Sequence, residues 1–242
     1  MNLSELSNNF DIILASGSPR RRELLAGMGV AFRVAERYAV EEVYPEGMEL
    51  REVPAYLANL KAEAYPAMLG DRQILITADT VVIHDGRVIG KPKGREEAIR
   101  TLRGLAGSAH EVVTGVVLRN RTAKRLFSEV AWVVFGALTD EEIEYYVDRF
   151  RPYDKAGAYG IQEWIGYVGI EGIEGSFYNV MGLPVQRVYC ELDAFVEDAL
   201  DALEWEEKAA TAMKWSRLYG GSIIVMLIDD GRGLEEPVDW KH

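Results

Sequence analysis

Residues 73–90, QILITADTVVIHDGRVIG, carry the pattern on which the fold turns. Apolar runs flank the polar TADT, and Asp85-Gly86 follows them. Asp-Gly between apolar runs is a strong signal for a two-residue hairpin turn, whose central positions favour such residues. The stretch therefore predicts strand, loop, strand and hairpin, with Asp79 between the first two strand-like runs. An unpartnered carboxylate among apolar neighbours is costly. Asp79 either caps a turn with Thr77 or Thr80, or it coordinates a metal or activates water.

Toward the N-terminus, residues 12–15 read as a short buried strand running into Ser16-Gly17-Ser18-Pro19 and three arginines, Arg20, Arg21 and Arg22. Pro19 suits a first helical turn, and Leu24, Leu25 and Met28 give a helical apolar face. Where a strand ends and a helix begins, backbone N–H groups point outward and attract anions. Gly17 allows a tight turn with close backbone approach. The hydroxyls of Ser16 and Ser18 and the forks of Arg20 and Arg21 can cradle phosphate oxygens. The same residues also fit an ordinary capped helix with surface arginines. A Walker loop is excluded, because its Gly-Lys-Ser/Thr ending is absent. Residues 31–35 predict a second strand, and the acidic pair Glu41-Glu42 follows. Neighbouring side chains diverge, so only one of these acids can face a site, and both also fit a solvated surface. Residues 53–69 are helical in pattern, interrupted or ended near Pro66, and carry Lys61.

Toward the C-terminus, Lys91 lies between Gly90 and Pro92, rigid flanks that suit a lysine aimed at a point. Residues 95–105 predict a helix, 111–118 a strand, 120–124 a polar turn and 128–136 another strand. Thr139 with Glu142 three residues on forms a capping-box signal for a helix to about Phe150. The glycine-rich stretch 157–182 contains Tyr159, Gln162, Tyr167 and Asn179. An amide such as Gln162 can read a base edge because it donates and accepts at once, although the stretch equally fits a packed loop with aromatic anchors. Strands alternating with helices predict an α/β fold with a mixed sheet. Residues 195–219 form one long helical pattern closed by Gly220-Gly221, and an apolar strand pattern follows at 222–231. A boundary is expected near residue 194.

Composition narrows the function classes. A chain of 242 residues supports one substantial core, or a domain with an appendage. The excess of 39 acidic over 27 basic residues argues against a nucleic-acid polymer as partner but leaves room for a small anion in a local basic pocket. Cys190 is the only cysteine, so an intrachain disulfide is excluded. His84, His110 and His242 are too scattered to imply a zinc site. The first 11 residues are polar and no run reaches the ~18 apolar residues of a membrane span, so no membrane association and a cytoplasmic location are expected.

Eight pieces, in order, resemble the Maf family of nucleotide pyrophosphatases: LASGSPRRRELL, VEEVYP, YLANLKAEAY, TADTVV, GKP, HEVVTG, DKAGAYGIQ and IEGSFYNVMGLP. They span about residues 11–193. The resemblance implies a mixed central sheet flanked by helices with a deep cleft, related to inosine-triphosphate pyrophosphatases and often dimeric. It implies hydrolysis of nucleoside triphosphates at the α–β linkage with Mg²⁺ or Mn²⁺. By motif, Ser16, Arg20 and Arg21 would hold phosphates, with Ser18 in the same turn. Lys61 and Lys91 match the family's basic site residues, Glu42 the acid before VYP, and Asp79 the acid assigned to water activation or metal binding. Gln162 matches the glutamine of the dTTP/UTP-type subgroup rather than the 7-methyl-GTP type. His110 is read as structural. A pyrophosphatase preferring modified pyrimidine nucleotides and a nucleotide-binding regulator without turnover are the alternatives. The domain is expected over 1–194, with 195–242 an extension. Part of that extension resembles a segment of tailed-phage portal proteins, which raises a phage structural role as a third class.

Overall fold

The computed structural model describes residues 10–70, 72–202, 211 and 214. The chain divides into two compact units, Met1–Val196 and Glu197–His242. The first unit is built on one mixed sheet, seven-stranded among the described residues. Strand β1 (Asp11–Leu14) lies between β2 (Arg33–Val34) and β3 (Gln73–His84), parallel to both. Strands β4 (Arg87–Ile89) and β5 (Ala109–Arg119) pair antiparallel with β3; β6 (Lys124–Phe135) continues from β5, and β7 (Ile170–Glu174) completes the edge.

Helices cover both faces of this sheet. Helix α1 (Pro19–Gly27) follows β1, and α2 (Val53–Glu63) lies across β3 and β5. Val53 and Leu57 pack on Val81, Ile83 and Val113, while Ala58 and Ala62 pack on Leu75 and Val117. On the opposite face, α3 (Arg95–Leu105) and α4 (Asp140–Phe150) bury Ile99, Leu102, Ile143 and Tyr146 against Val82, Val112, Val133 and Phe135. Each such side chain contributes about 1.5–3 kcal/mol when removed from water. The Thr139–Glu142 capping box forms in full: Thr139 Oγ1 accepts from the Glu142 amide, and the Thr139 amide donates to the Glu142 carboxylate.

Gly115 fixes the height of α2 above the sheet. A Cβ there would lie 2.2 Å from the Ala55 amide nitrogen, so only glycine lets the first turn of α2 rest on β5. Asp79 is the residue paired with Gly115 across the ladder.

The expectations for residues 73–90 are met only in part. Asp85 (φ 47°) and Gly86 (φ 68°) make the hairpin turn. The loop expected at TADT does not exist, however: β3 runs unbroken through Thr77, Asp79 and Thr80. Each polar side chain has a tertiary partner that replaces the water a loop would supply. Thr77 donates to the Ala58 carbonyl, Asp79 pairs with Lys61, and Thr80 meets Arg21 and Thr114. Strands β5 and β6 are longer than expected because the Asn120 carboxamide accepts from the amides of Thr122 and Ala123, closing the turn between them. The glycine-rich stretch is ordered as a 3₁₀ turn (Ala156–Ala158), α5 (Trp164–Val168), β7 and α6 (Phe177–Met181). Helix α7 (Val185–Ala202) begins before the helix expected at 195 and runs through that position. Apart from 211 and 214, residues 203–242 lie outside the described residues, and with them the expected glycine stop, the strand at 222–231 and the portal-like segment.

Candidate active site

A cleft of about 680 Å³ opens where β1 ends, α1 begins and β3 passes beneath α2. All nine residues singled out in the sequence line it. Seven basic and four acidic side chains border the cleft, in a chain of formal charge −12, so the local charge is the reverse of the global one.

One wall is the turn from β1 into α1. Ser18 precedes Pro19 with extended backbone (φ −73°, ψ 119°), and its hydroxyl makes no cap bond to the helix. The Ser18 amide donates to Ser16 Oγ at 3.2 Å. The first turn of α1 holds no acidic side chain, which leaves its N–H groups and positive dipole end for an anion. The φ of Gly17 is not positive, so the turn itself does not require glycine; a Cβ there would meet nothing within 4 Å, and the open space above it belongs to the cleft.

The two arginines expected to act together are separated by the helical rotation of about 100° between neighbours. Arg20 Nη1 reaches Asp154 Oδ2 at 3.2 Å on the cleft wall. Arg21 turns inward. Its Nε donates to the Gly182 carbonyl at 2.7 Å, Nη1 to the Ala78 carbonyl at 2.9 Å and Ser16 Oγ at 3.4 Å, and Nη2 to Thr80 Oγ1 at 2.9 Å. Of five guanidinium N–H groups, one is left without a protein partner among the described residues. Burial lowers the Arg21 pKa, and the nearby Asp79 charge opposes that shift. Arg21 thus ties the anion-facing turn to β3 and to the end of α6. That binding to protein oxygens narrows its expected phosphate-holding role.

The floor holds the acids. Lys61, in the last turn of α2, contacts Asp79 Oδ1 directly and Glu42 Oε1 at 3.2 Å. The Lys61 carbonyl accepts from the Tyr38 hydroxyl at 2.7 Å, which holds the loop carrying Glu42 to the helix. Asp79 Oδ2 has no protein partner among the described residues. Of the pair Glu41-Glu42, only Glu42 borders the cleft. Lys91, just past β4, is exposed and borders the cleft, and the preceding Gly90 carbonyl accepts from the Gly157 amide at 3.2 Å.

Gln162 projects from the segment after the 3₁₀ turn. The residue lines the cleft, while its Oε1 is buried and has no hydrogen-bond partner among the described residues. That segment is braced by charge. Lys155 Nζ bonds Asp154 Oδ1 at 2.8 Å and Glu163 Oε1 at 3.1 Å, while the Tyr146 hydroxyl donates to Glu163 and accepts from the Gly160 amide at 2.9 Å. Burial raises the Tyr146 pKa, with the Glu163 charge adding to it. Asp154 joins this brace to Arg20, so the amide-bearing segment and the arginine of the anion turn share one network. His110 is buried behind the site, with Nε2 on the Tyr159 hydroxyl at 2.7 Å, and burial lowers its pKa to about 4. It does not border the cleft.

Sequence reasoning missed Asp154, Lys155, Thr80 and Gly182. The first two stand inside DKAGAYGIQ and Gly182 inside IEGSFYNVMGLP, so the motifs were the available signal.

Residues 11–195 match the family model described as Maf-like protein. A dTTP/UTP pyrophosphatase of Porphyromonas gingivalis is 55% identical over 190 residues, covering 78% of this chain and 96% of that protein. A dTTP/UTP pyrophosphatase of Bacteroides fragilis is 50% identical over 185 residues, covering 76% and 96% respectively. One from Flavobacterium johnsoniae is 43% identical over 194 residues, covering 80% and 100%.

Proposed function

The chain belongs to the Maf-like protein family, and on that premise we propose that its cleft hydrolyses nucleoside triphosphates, dTTP and UTP foremost, between the α and β phosphates. The products are the nucleoside monophosphate and pyrophosphate. The observation that carries this reading is the meeting, in one cleft, of an unblocked helix N-terminus, Arg20, Lys91 and the Asp79–Lys61–Glu42 cluster.

The triphosphate lies against the first turn of α1, where Ser16, Ser18 and Arg20 offer N–H and O–H donors. Lys91 and Lys61 neutralise charge that grows on the departing pyrophosphate. Asp79 Oδ2, free of protein partners among the described residues, orients a water for in-line attack on the α phosphorus and accepts its proton. Gln162 reads the base. Its carboxamide, once turned toward the cleft that the residue lines, can accept the imide N–H common to thymine and uracil and donate to a ring carbonyl.

The residues present fit a divalent cation. Among the described residues no group of three or more His, Cys, Asp or Glu could hold a metal, but Glu42 and Asp79 supply two hard oxygen donors that already converge on one ammonium. Phosphate oxygens complete such a site in nucleotide enzymes. Mg²⁺ or Mn²⁺ there would neutralise phosphate charge and act as a Lewis acid.

Residues 1–194 constitute the hydrolase on this reading, acting in the cytoplasm as a homodimer, with 195–242 an extension. Among the described residues no helix is long and apolar enough to cross a membrane. Pyrophosphate release by the purified chain across a panel of nucleoside triphosphates with Mg²⁺ tests the proposal. Release fastest from dTTP and UTP supports it, whereas saturable nucleotide binding without product overturns it.

A further inference from the structure

Lys61 occupies an unusual position. Its ammonium sits between Glu42 and Asp79, the two carboxylates on the cleft floor, touching both. Its side chain is 15% exposed and that of Asp79 13%, so bulk water screens the contact weakly. A divalent cation bound by both carboxylates and the ammonium cannot occupy the same gap. The neighbouring Arg21 cannot take the place of Lys61, because four of its five N–H groups are committed to protein oxygens.

We propose that Lys61 is a resident stand-in for the divalent cation, so that the chain loads metal only together with a triphosphate. Without nucleotide, the ammonium cancels one of two carboxylate charges and fills the space between them, which keeps metal affinity low. When a metal–nucleotide complex enters, the phosphate oxygens offer the ammonium new partners, and the flexible four-carbon stem lets it swing to them without moving α2. Glu42 and Asp79 are then released to the metal. The cluster closes around its substrate complex and does not hold a bare ion. The inference rests on the pyrophosphatase reading and adds an order of binding to it.

Titration of the full-length chain with Mn²⁺ in the absence of nucleotide, followed by the electron paramagnetic resonance signal of the free ion, tests this. The wild type is expected to bind Mn²⁺ weakly. Lys61→Met keeps most of the stem and removes the charge, and should bind on the order of tenfold more tightly. Lys61→Met combined with Asp79→Asn should lose that gain, locating it at the cluster. Lys61→Gln serves as a second variant if the methionine form melts early. Tight Mn²⁺ binding by the nucleotide-free wild type overturns the inference without any variant, as does a Lys61→Met protein that binds no tighter than wild type. Pyrophosphate release from dTTP is measured separately. A wild type that releases none defeats the hydrolase reading, while an active wild type with unchanged Mn²⁺ affinity in the variants defeats only the stand-in role.

Discussion

Replacing Gly115 with alanine strikes the site through the sheet beneath it. The added Cβ would lie 2.2 Å from the Ala55 nitrogen and 2.4 Å from both its Cα and the Pro54 carbonyl carbon. Ordinary carbon contacts begin near ~3.5 Å, so α2 must lift by about 1 Å. All three atoms are backbone, so no side chain can rotate away. Overpacking of this kind costs about 1–3 kcal/mol, and the backbone clash places the variant at the upper end. For a chain of this size ~3 kcal/mol lowers Tm by about 6–12 °C. Lys61 lies further along the same helix and shifts with it relative to β3 and the cleft, which misplaces the ammonium for the phosphates it is to meet. A misplacement of about 1 Å in a reacting constellation reduces rate on the order of 10²-fold. Calorimetric melting and initial rates of pyrophosphate release read the two effects. A variant that melts within about 2 °C of wild type and keeps its kcat would refute the close approach of α2 to β5.

Two further outcomes follow from buried groups. Arg21→Met should destabilise the fold by about 3 kcal/mol in urea titration, because the Gly182 and Ala78 carbonyls lose their donor in a part-buried setting; an unchanged midpoint would show that the clamp is dispensable. His110 has a pKa lowered to about 4 by burial, below its ordinary 6.5, so the unfolded chain takes up the proton first as pH falls. Stability due to this residue is complete above pH ~6.5 and declines by about 3 kcal/mol as pH drops toward ~4, where the loss levels off. Unfolding free energies across that window should flatten in His110→Phe, and equal slopes in both proteins would contradict the assignment.

Local chemistry made parts of this fold legible in the sequence. The Thr139–Glu142 box specifies the start of α4 through bonds between residues three apart, and the hairpin turn needs only Asp85-Gly86. Strand β3 was not legible as one element, because what lets Thr77, Asp79 and Thr80 continue it are Ala58, Lys61 and Arg21, partners 18 to 59 residues away. The stretch after Gly157 builds α5, β7 and α6 from five residues each, too short for a period to emerge. Within the site, residue types and motif resemblance marked the side chains that line the cleft. They could not separate Arg20 from Arg21, since only the packed helix decides which faces inward. The motif DKAGAYGIQ contains Asp154, but nothing local in it could show the contact with Arg20, which spans 134 residues.

Hydrolysis of dTTP in ¹⁸O-labelled water, with products resolved by mass spectrometry, tests the central assignment most directly. If Asp79 directs water to the α phosphorus, the label enters dTMP and not pyrophosphate, and Asp79→Asn folds normally but yields neither product. Label in pyrophosphate, release of single phosphate, or near-normal turnover by Asp79→Asn would contradict it.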